Sequence, residues 1–404
     1  MKVADKILIR GKLAGLKAIS KVIAIPRPIV LLGAGSSLQL CTTVAQFGAH
    51  KVLLVTDSVL TGLGLHQPLL DQLSKLGIEV HVFSQVMPDP TLEVVQQGVQ
   101  AYLTAGCDAV LALGGGSVMD AAKVIAAAAG NQKPARSMLG LLKVRKPCVP
   151  LYVIPTTAGT GSEVTLAAVI SETVQGATIK SLVIDPKLVP VAAALDARLM
   201  LGLPAPVTAA TGIDVLTHAI EAYVSDFACE ETDRYARAAI KLTFENLLPL
   251  YKSGRSLKQR EAMALASFYG GLAVTQAGVG YVHAIAHQIG SKYHVPHGEA
   301  NALFLVPVLR YSEPRVRERL AELACMMGFG RNVESSEHLA EYFILAVEKL
   351  ISDLGLKKRL DLMKPEDMPS LVQGALKEAH GTYPVPKYMA AQDCLAILAQ
   401  VSCH

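Results

Sequence analysis

Five short apolar runs punctuate the first half of the chain: PIVLLGAG (28–35), KVLLVTD (51–57), IEVHVFS (78–84), DAVLALGGG (108–116) and VPLYVIPTT (149–157). Each is rich in Val, Ile or Leu and runs into Gly, Pro or polar residues, the pattern of strands covered on both faces. Between them lie segments with apolar positions at helical spacing, such as Leu92–Ala105, which follows the start signal Asp89-Pro90-Thr91. The alternation predicts βαβ crossovers and a parallel, Rossmann-like α/β sheet. From Pro204 onward the β-branched runs give way to long Ala/Leu-rich stretches at 209–225, 230–251, 258–270 and 280–291, which predict an all-α second half. The boundary falls at LGLPAP, where Pro204 and Pro206 interrupt the helical pattern. The expected division is 1–203 and 204–404.

At 404 residues the chain exceeds what one core usually supports, and 51% hydrophobic against 18% charged residues supplies two packed domains and excludes a disordered chain. The net charge of +4 is small and well mixed, so nucleic acid is not an expected partner. The exception is 1–27, where Lys2, Lys6, Arg10, Lys12, Lys17, Lys21 and Arg27 meet one acid, Asp5. A solvated basic leading segment is expected there, with a targeting or membrane-surface role as the alternative. No apolar run with a cleavage site follows it. The charge-free stretch 28–49 contains Gly33, Gly35, Ser36, Ser37, Gln39, Thr42, Thr43 and Gln46, too polar for a membrane span. Seven cysteines without a Cys-x-x-Cys read as free thiols in a reducing cytoplasm.

The chemistry begins at LALGGGSVMDAAK. Gly114, Gly115 and Gly116 follow a strand, and Ser117 with Asp120 has the spacing of a capping box, so a helix is expected to start at Ser117 and offer its amides to a pyrophosphate. A purely structural glycine turn is the alternative. IPTTAGTGSEVT places Thr156, Thr157, Thr160 and Ser162 around Gly159 and Gly161 after another strand. Two polar glycine loops at strand ends of one sheet point to a nucleotide. LLGAGSSL lacks a third glycine and reads as a turn. Asp57, ending its strand, is placed to accept from a ribose diol and repel a 2′-phosphate, which favours NAD over NADP; the alternative is a helix-cap aspartate.

HAIAHQIGSKYHVPH holds four of the eleven histidines. His283 and His287 share a helix face, His297 follows a Pro296 bend, and His294 reads as a loop residue. Ala284 stands where a zincin helix needs its glutamate, so peptidase chemistry is disfavoured. Asp214 and His218 repeat the i, i+4 spacing on another helix. One carboxylate with several imidazoles suits Fe(II) or Zn(II), with Asp214, His218, His283 and His297 as the four ligands. The alternative is two amphipathic helices with incidental histidines.

Taken together, GGGSVMDAAK, PTTAGTGSEVT, GIDVLTHAIEAY and GVGYVHAIAHQIGSKYHVPHG resemble the iron-containing (group III) alcohol dehydrogenases, in order and spacing over roughly 28–400. The resemblance implies the dehydroquinate synthase-like architecture: an α/β dinucleotide-binding domain (1–203), a helical metal-binding and catalytic domain (204–404) and an active site in the cleft between them. It implies the same four metal ligands, a proton-relaying His287, and cofactor contacts at Asp57, Gly115, Gly116, Ser117, Asp120, Thr157, Thr160, Ser162, Val169 and Lys180. It further implies an NAD(H)-linked reaction on a small primary alcohol, diol or aldehyde, with Fe(II) or Zn(II) as Lewis acid, in a homo-oligomer, a dimer or higher. The chain departs from the family in Gln276, where Asn is frequent and bears on the substrate pocket, in the longer leading segment and in the absence of Trp. Two other functions share parts of this pattern. A sugar-phosphate cyclase of the dehydroquinate-synthase type would need a basic cluster near the histidines, and the helical half shows none. A non-catalytic nucleotide- and metal-binding assembly protein would keep the loops without a redox change.

Overall fold

A computed structural model describes residues 24–174, 177–330 and 335–403, together with Gly11, Leu13, Ala14, Gly15 and Lys17. Of the basic leading segment, Lys2, Lys6, Arg10, Lys12 and Lys21 lie outside the described residues. Lys17 donates to the Asp226 carbonyl at 2.8 Å. Contacts divide the chain into two compact units, one comprising Ala24–Leu203 with Gly254–Gly271 and the other containing Pro204–Ser253 with Leu272–His404.

The first unit is built on strands β1 (Ile29–Leu32), β2 (Lys51–Val55), β3 (Glu79–Phe83), β4 (Ala109–Gly114), β5 (Gly140–Leu141), β6 (Leu151–Pro155), β7 (Ala167–Val174), β8 (Ala177–Ile184) and β9 (Ala192–Leu195). Six form one parallel sheet in the order β1-β9-β6-β4-β2-β3, and β5-β8-β7 form a smaller one. The uninterrupted apolar runs follow from helices covering both faces. Leu53, Val55, Val110, Ala112 and Val153 pack into one buried cluster with residues of Leu92–Ala105 and Gly116–Asn131. Val52, Leu54, Leu111, Leu113, Tyr152 and Ile154 pack into another with residues of Ser36–Gln46 and Gln67–Lys75. Adjacent residues alternate between the faces because the side-chain period of a strand is two. After β3 the chain returns to the other side of β2 to form β4, so the order reverses between β2 and β4, the kind of place beyond the strands' carboxyl ends where ligands of open α/β sheets gather.

Helix Leu257–Ala277, expected in the helical half, contributes 257–271 to the sheet unit. The reason is a backbone approach: a Cβ on Gly161 (φ +63°) would lie 2.6 Å from Gly271 Cα, and Gly161 N–H donates to Ser267 Oγ at 3.2 Å. In LLGAGSSL only 33–35 form a turn, which leads into helix Ser36–Gln46; buried Asp196 holds that helix start, its Oδ2 accepting from Gly35 N–H (3.0 Å) and the Ser37 hydroxyl (2.7 Å).

The second unit is helical: Ala205–Val224, Glu230–Ser253, Tyr281–Tyr293, His297–Met327, Ser336–Asp353, Met368–Ala379 and Ala391–Val401. His297–Met327 packs against Ala205–Val224, Tyr281–Tyr293 and Ser336–Asp353. A Cβ on Gly298 would overlap the Ala210 carbonyl oxygen, so these two backbones touch. No single helix among the described residues is long and apolar enough to cross a membrane.

Candidate metal centre and cofactor loops

In the helical unit, Asp214 and His218 lie one turn apart on Ala205–Val224, His283 and His287 one turn apart on Tyr281–Tyr293, and His297 opens His297–Met327 directly after Pro296. Asp214 Oδ1 lies 3.4 Å from His297 Nε2, 3.6 Å from His283 Nε2 and 3.8 Å from His218 Nδ1. Asp214, His283 and His297 present ligand atoms within 4.8 Å of one another. His218 is not in that set of three; its ring stacks on His283, centroids 4.5 Å apart. His287 stacks on His297 at 5.2 Å. All four histidines expected to matter are therefore gathered round one buried carboxylate, whereas His294 ends its helix in a left-handed conformation.

Burial and neighbours set the charges. Burial alone would raise Asp214, but the imidazoles of His218 and His297 hold it well below the usual carboxylate range. Burial lowers His218 to about 4. The same burial would lower His283, but the carboxylates of Glu221 and Asp214 outweigh it and bring the ring to about 9. Among the described residues, buried His283 Nε2 and His218 Nδ1 have no hydrogen-bond partner. A buried imidazole nitrogen left bare is costly unless something fills it, and a hard-to-borderline cation fits this N/O donor set.

Three residues round the cluster were not among the expected site residues. Glu221 accepts from His283 Nδ1 at 2.6 Å. Glu378 bonds His287 Nδ1 at 2.6 Å and also accepts from the Tyr383 hydroxyl (2.6 Å) and Gln288 Nε2 (2.9 Å). Buried Asn301 donates to Asp214 Oδ1 at 2.8 Å. Glu221 and Glu378 stand 62 and 91 residues from the histidines they hold, beyond any local spacing rule. Asn301 does lie one helical turn after His297, and Glu221 three residues after His218. Gln276 donates to Glu231 at 3.4 Å.

In the sheet unit Asp57, the 115–120 segment and the 157–162 loop follow the carboxyl ends of β2, β4 and β6, with β4 between the other two, while Val169 and Lys180 lie on β7 and β8 of the smaller sheet. The two glycine loops touch. A Cβ on Gly115 would lie 3.1 Å from Thr157 Oγ1, and one on Gly116 would lie 2.5 Å from Thr160 Cγ2. The helix begins at Gly116 with Gly115 as its uncapped N-cap, so the expected Ser117–Asp120 capping box does not form. Asp120 is engaged elsewhere: its oxygens accept from the Ser162 hydroxyl at 2.6 Å and from Val169 N–H at 2.9 Å. Asp120 thus ties Ser162 to Val169, and without a side-chain cap the first amides of the helix are of the kind that can receive an anion. Lys180 is paired with Asp89 at 2.7 Å. Asp57 follows β2 and is an N-cap, its Oδ1 accepting from Leu60 N–H at 2.8 Å. The cap alternative for Asp57 is realised, and it engages one of two carboxylate oxygens.

Comparison with known proteins matches both halves of the chain to one family. The iron-containing alcohol dehydrogenase model covers 27–197, and the model for the C-terminal part of the Fe-containing alcohol dehydrogenase family covers 208–402. The chain belongs to the iron-containing alcohol dehydrogenase family. An NAD-dependent methanol dehydrogenase of Bacillus methanolicus is 36% identical over 373 residues, covering 92% of this chain and 97% of that protein. A 1,3-propanediol dehydrogenase of Citrobacter freundii is 40% identical over 337 residues, 82% of this chain and 87% of that one. The crystal structure of a 1,3-propanediol oxidoreductase superposes with a TM-score of 0.89 at 35% identity, covering 94% of this chain and all of the other. The sheet and the helical unit of this dehydrogenase are thus the family's own fold, and the matched residues include every cofactor and metal candidate named above.

Proposed function

We propose that this dehydrogenase holds a divalent metal through Asp214, His218, His283 and His297 and interconverts small primary alcohols or diols with their aldehydes. As a member of its family it is an NAD-linked oxidoreductase acting on alcohols, with iron as the family metal. The observation that carries the metal assignment is the buried carboxylate ringed by imidazoles, two of whose buried nitrogens lack hydrogen-bond partners among the described residues. When bound, the ion supplies a Lewis acid that acidifies a hydroxyl or polarises a carbonyl, and NAD supplies the hydride acceptor.

The chain's own residues position and protonate. His287 commits Nδ1 to Glu378, which orients the ring and leaves Nε2 to exchange a proton with substrate or solvent. Burial would raise Glu378, but His287 beside it and the hydrogen bonds it accepts hold it below the ordinary value, so it stays a carboxylate. Gly115, Gly116 and Ser117 offer amides to the pyrophosphate, with Thr157, Thr160 and Lys180 as further contacts. Asp57 takes the ribose diol and disfavours NADP. Asp120 and Ser162 brace that loop. The sheet unit is accordingly the dinucleotide-binding domain, and the helical unit the metal-binding and catalytic one.

We infer a cytoplasmic homo-oligomer without nucleic-acid or membrane partners. Seven free cysteines and a small net charge support this, as does the edge strand β1, which leaves Ile29 and Leu32 about half exposed. The test is anaerobic NADH formation from a panel of short primary alcohols and diols by chelated protein reloaded with Fe(II) or Zn(II). Turnover restored by metal and lost in His283→Ala is expected. Metal-independent turnover, or none with any alcohol or aldehyde, overturns the proposal.

A further inference from the structure

Helix Tyr281–Tyr293 carries two of the clustered histidines, yet its own N-cap, Gly280, has no side chain with which to cap it. The cap comes from another helix. Glu221, buried on Ala205–Val224, accepts from Gly280 N–H through Oε2 and from Val282 N–H through Oε1, both at 2.7 Å. The same Oε2 accepts from His283 Nδ1 at 2.6 Å. One carboxylate therefore sets where the helix begins and which way the ring of its first histidine points. Gly280 is bound into the arrangement, since a Cβ there would lie 2.7 Å from Glu221 Oε1.

We infer that Glu221 is a positioning residue for the metal centre: it reserves Nδ1–H of His283 and so aims Nε2 at Asp214, with the helix register locked by the same oxygens. This rests on the metal-binding reading above. The physical reason is that an imidazole has two distinct nitrogens, and the hydrogen bond made by one decides which the other presents. Carboxylate partners of this kind hold ring orientation and raise ligand basicity, and removing one typically costs about 10–100-fold in metal affinity. A glutamine at 221 keeps one acceptor oxygen but turns an NH₂ toward a donor, so it cannot satisfy all three.

The test measures Zn(II) affinity of the full chain by competition with a chromophoric chelator, for wild type, Glu221→Gln and His283→Ala. Glu221→Gln is expected to weaken binding by about 10–100-fold. Helix capping is separated from ring orientation by loading Glu221→Gln to saturation with Co(II), where a misdirected ring changes the visible absorption bands. Wild-type affinity, or wild-type Co(II) bands at saturation, in Glu221→Gln overturns the inference. Wild-type affinity in His283→Ala overturns the metal-centre reading instead. Should Glu221→Gln fail to fold, Gly280→Ala presses on the same carboxylate and is read the same way.

Discussion

At the scale of single residues, several side chains perform two tasks. Asp57 is both a helix cap and the acid proposed to meet the ribose, and a substitution can divide the two. Asp57→Asn keeps an oxygen for Leu60 N–H and removes the charge. It is expected to raise the ratio of NADP to NAD in kcat/KM while leaving the melting temperature nearly unchanged, whereas Asp57→Ala also loses about 1 kcal/mol of capping. Unchanged cofactor discrimination in Asp57→Asn would remove Asp57 from the cofactor site. Glu163 offers a second test. Burial raises it from 4.5 to about 7, with its backbone hydrogen bond and Lys123 opposing. The folded state therefore keeps a proton that the unfolded chain releases earlier, and this group's contribution to stability falls as pH rises from about 4.5 to about 7. The melting-temperature difference between Glu163→Gln and wild type should be near zero at pH 4 and grow in favour of the variant by pH 7.5. A difference constant across that window would show that the carboxyl is not shifted.

At the scale of elements, contact between helices positions the ligands as much as the helices themselves do. His297 stands beside Gly298, whose bare Cα lets His297–Met327 touch the backbone at Ala210, one turn before Asp214. Gly298→Ala is expected to force the helices apart, costing about 1–3 kcal/mol, and to weaken metal binding because His297 moves away from Asp214. Thermal melts and chelator competition read the two effects, and a wild-type result in both would mean that the helices are not so closely apposed. The strands show what local pattern can and cannot carry. β2, β4 and β6 announce themselves because both of their faces are buried, whereas the edge strands β1 and β3 keep exposed positions and are legible from their Val, Ile and Leu content. The run Ala192–Leu195 has no β-branched residue, and it is a strand because β1 and β6 offer it hydrogen bonds on both sides. The start of the Gly116–Asn131 helix was legible but its cap was not, since Asp120 finds better partners in Ser162 and Val169, 42 and 49 residues away.

At the scale of the whole molecule, the proposed assignment gives NAD to the sheet unit and the metal to the helical unit, and this yields a linkage test. A ligand that binds only the folded state stabilises by an amount set by its concentration over Kd, about 2.7 kcal/mol at one hundred times Kd. Zn(II) is expected to slow amide hydrogen exchange in Ala205–Val224, Tyr281–Tyr293 and the start of His297–Met327. NAD is expected to slow it around 114–120 and 156–162. Protection by Zn(II) confined to the glycine loops would contradict the assignment of the ligands.

The sequence by itself determined the alternating α/β half, the helical half, the glycine loops and the four clustered acid and histidine positions. Each of these depends on periodicity or on spacings of a few residues, and such short-range relations are written along the chain. The tertiary structure alone decided that helix residues 257–271 belong with the sheet, that Asp120 braces a loop rather than capping a helix, and that Glu221, Glu378 and Asn301 hold the histidines and Asp214. Those outcomes turn on which hydrogen-bond donors lie within about 3 Å of a buried oxygen after the chain has folded. Burial makes such pairing obligatory, but only the packed fold chooses the partner.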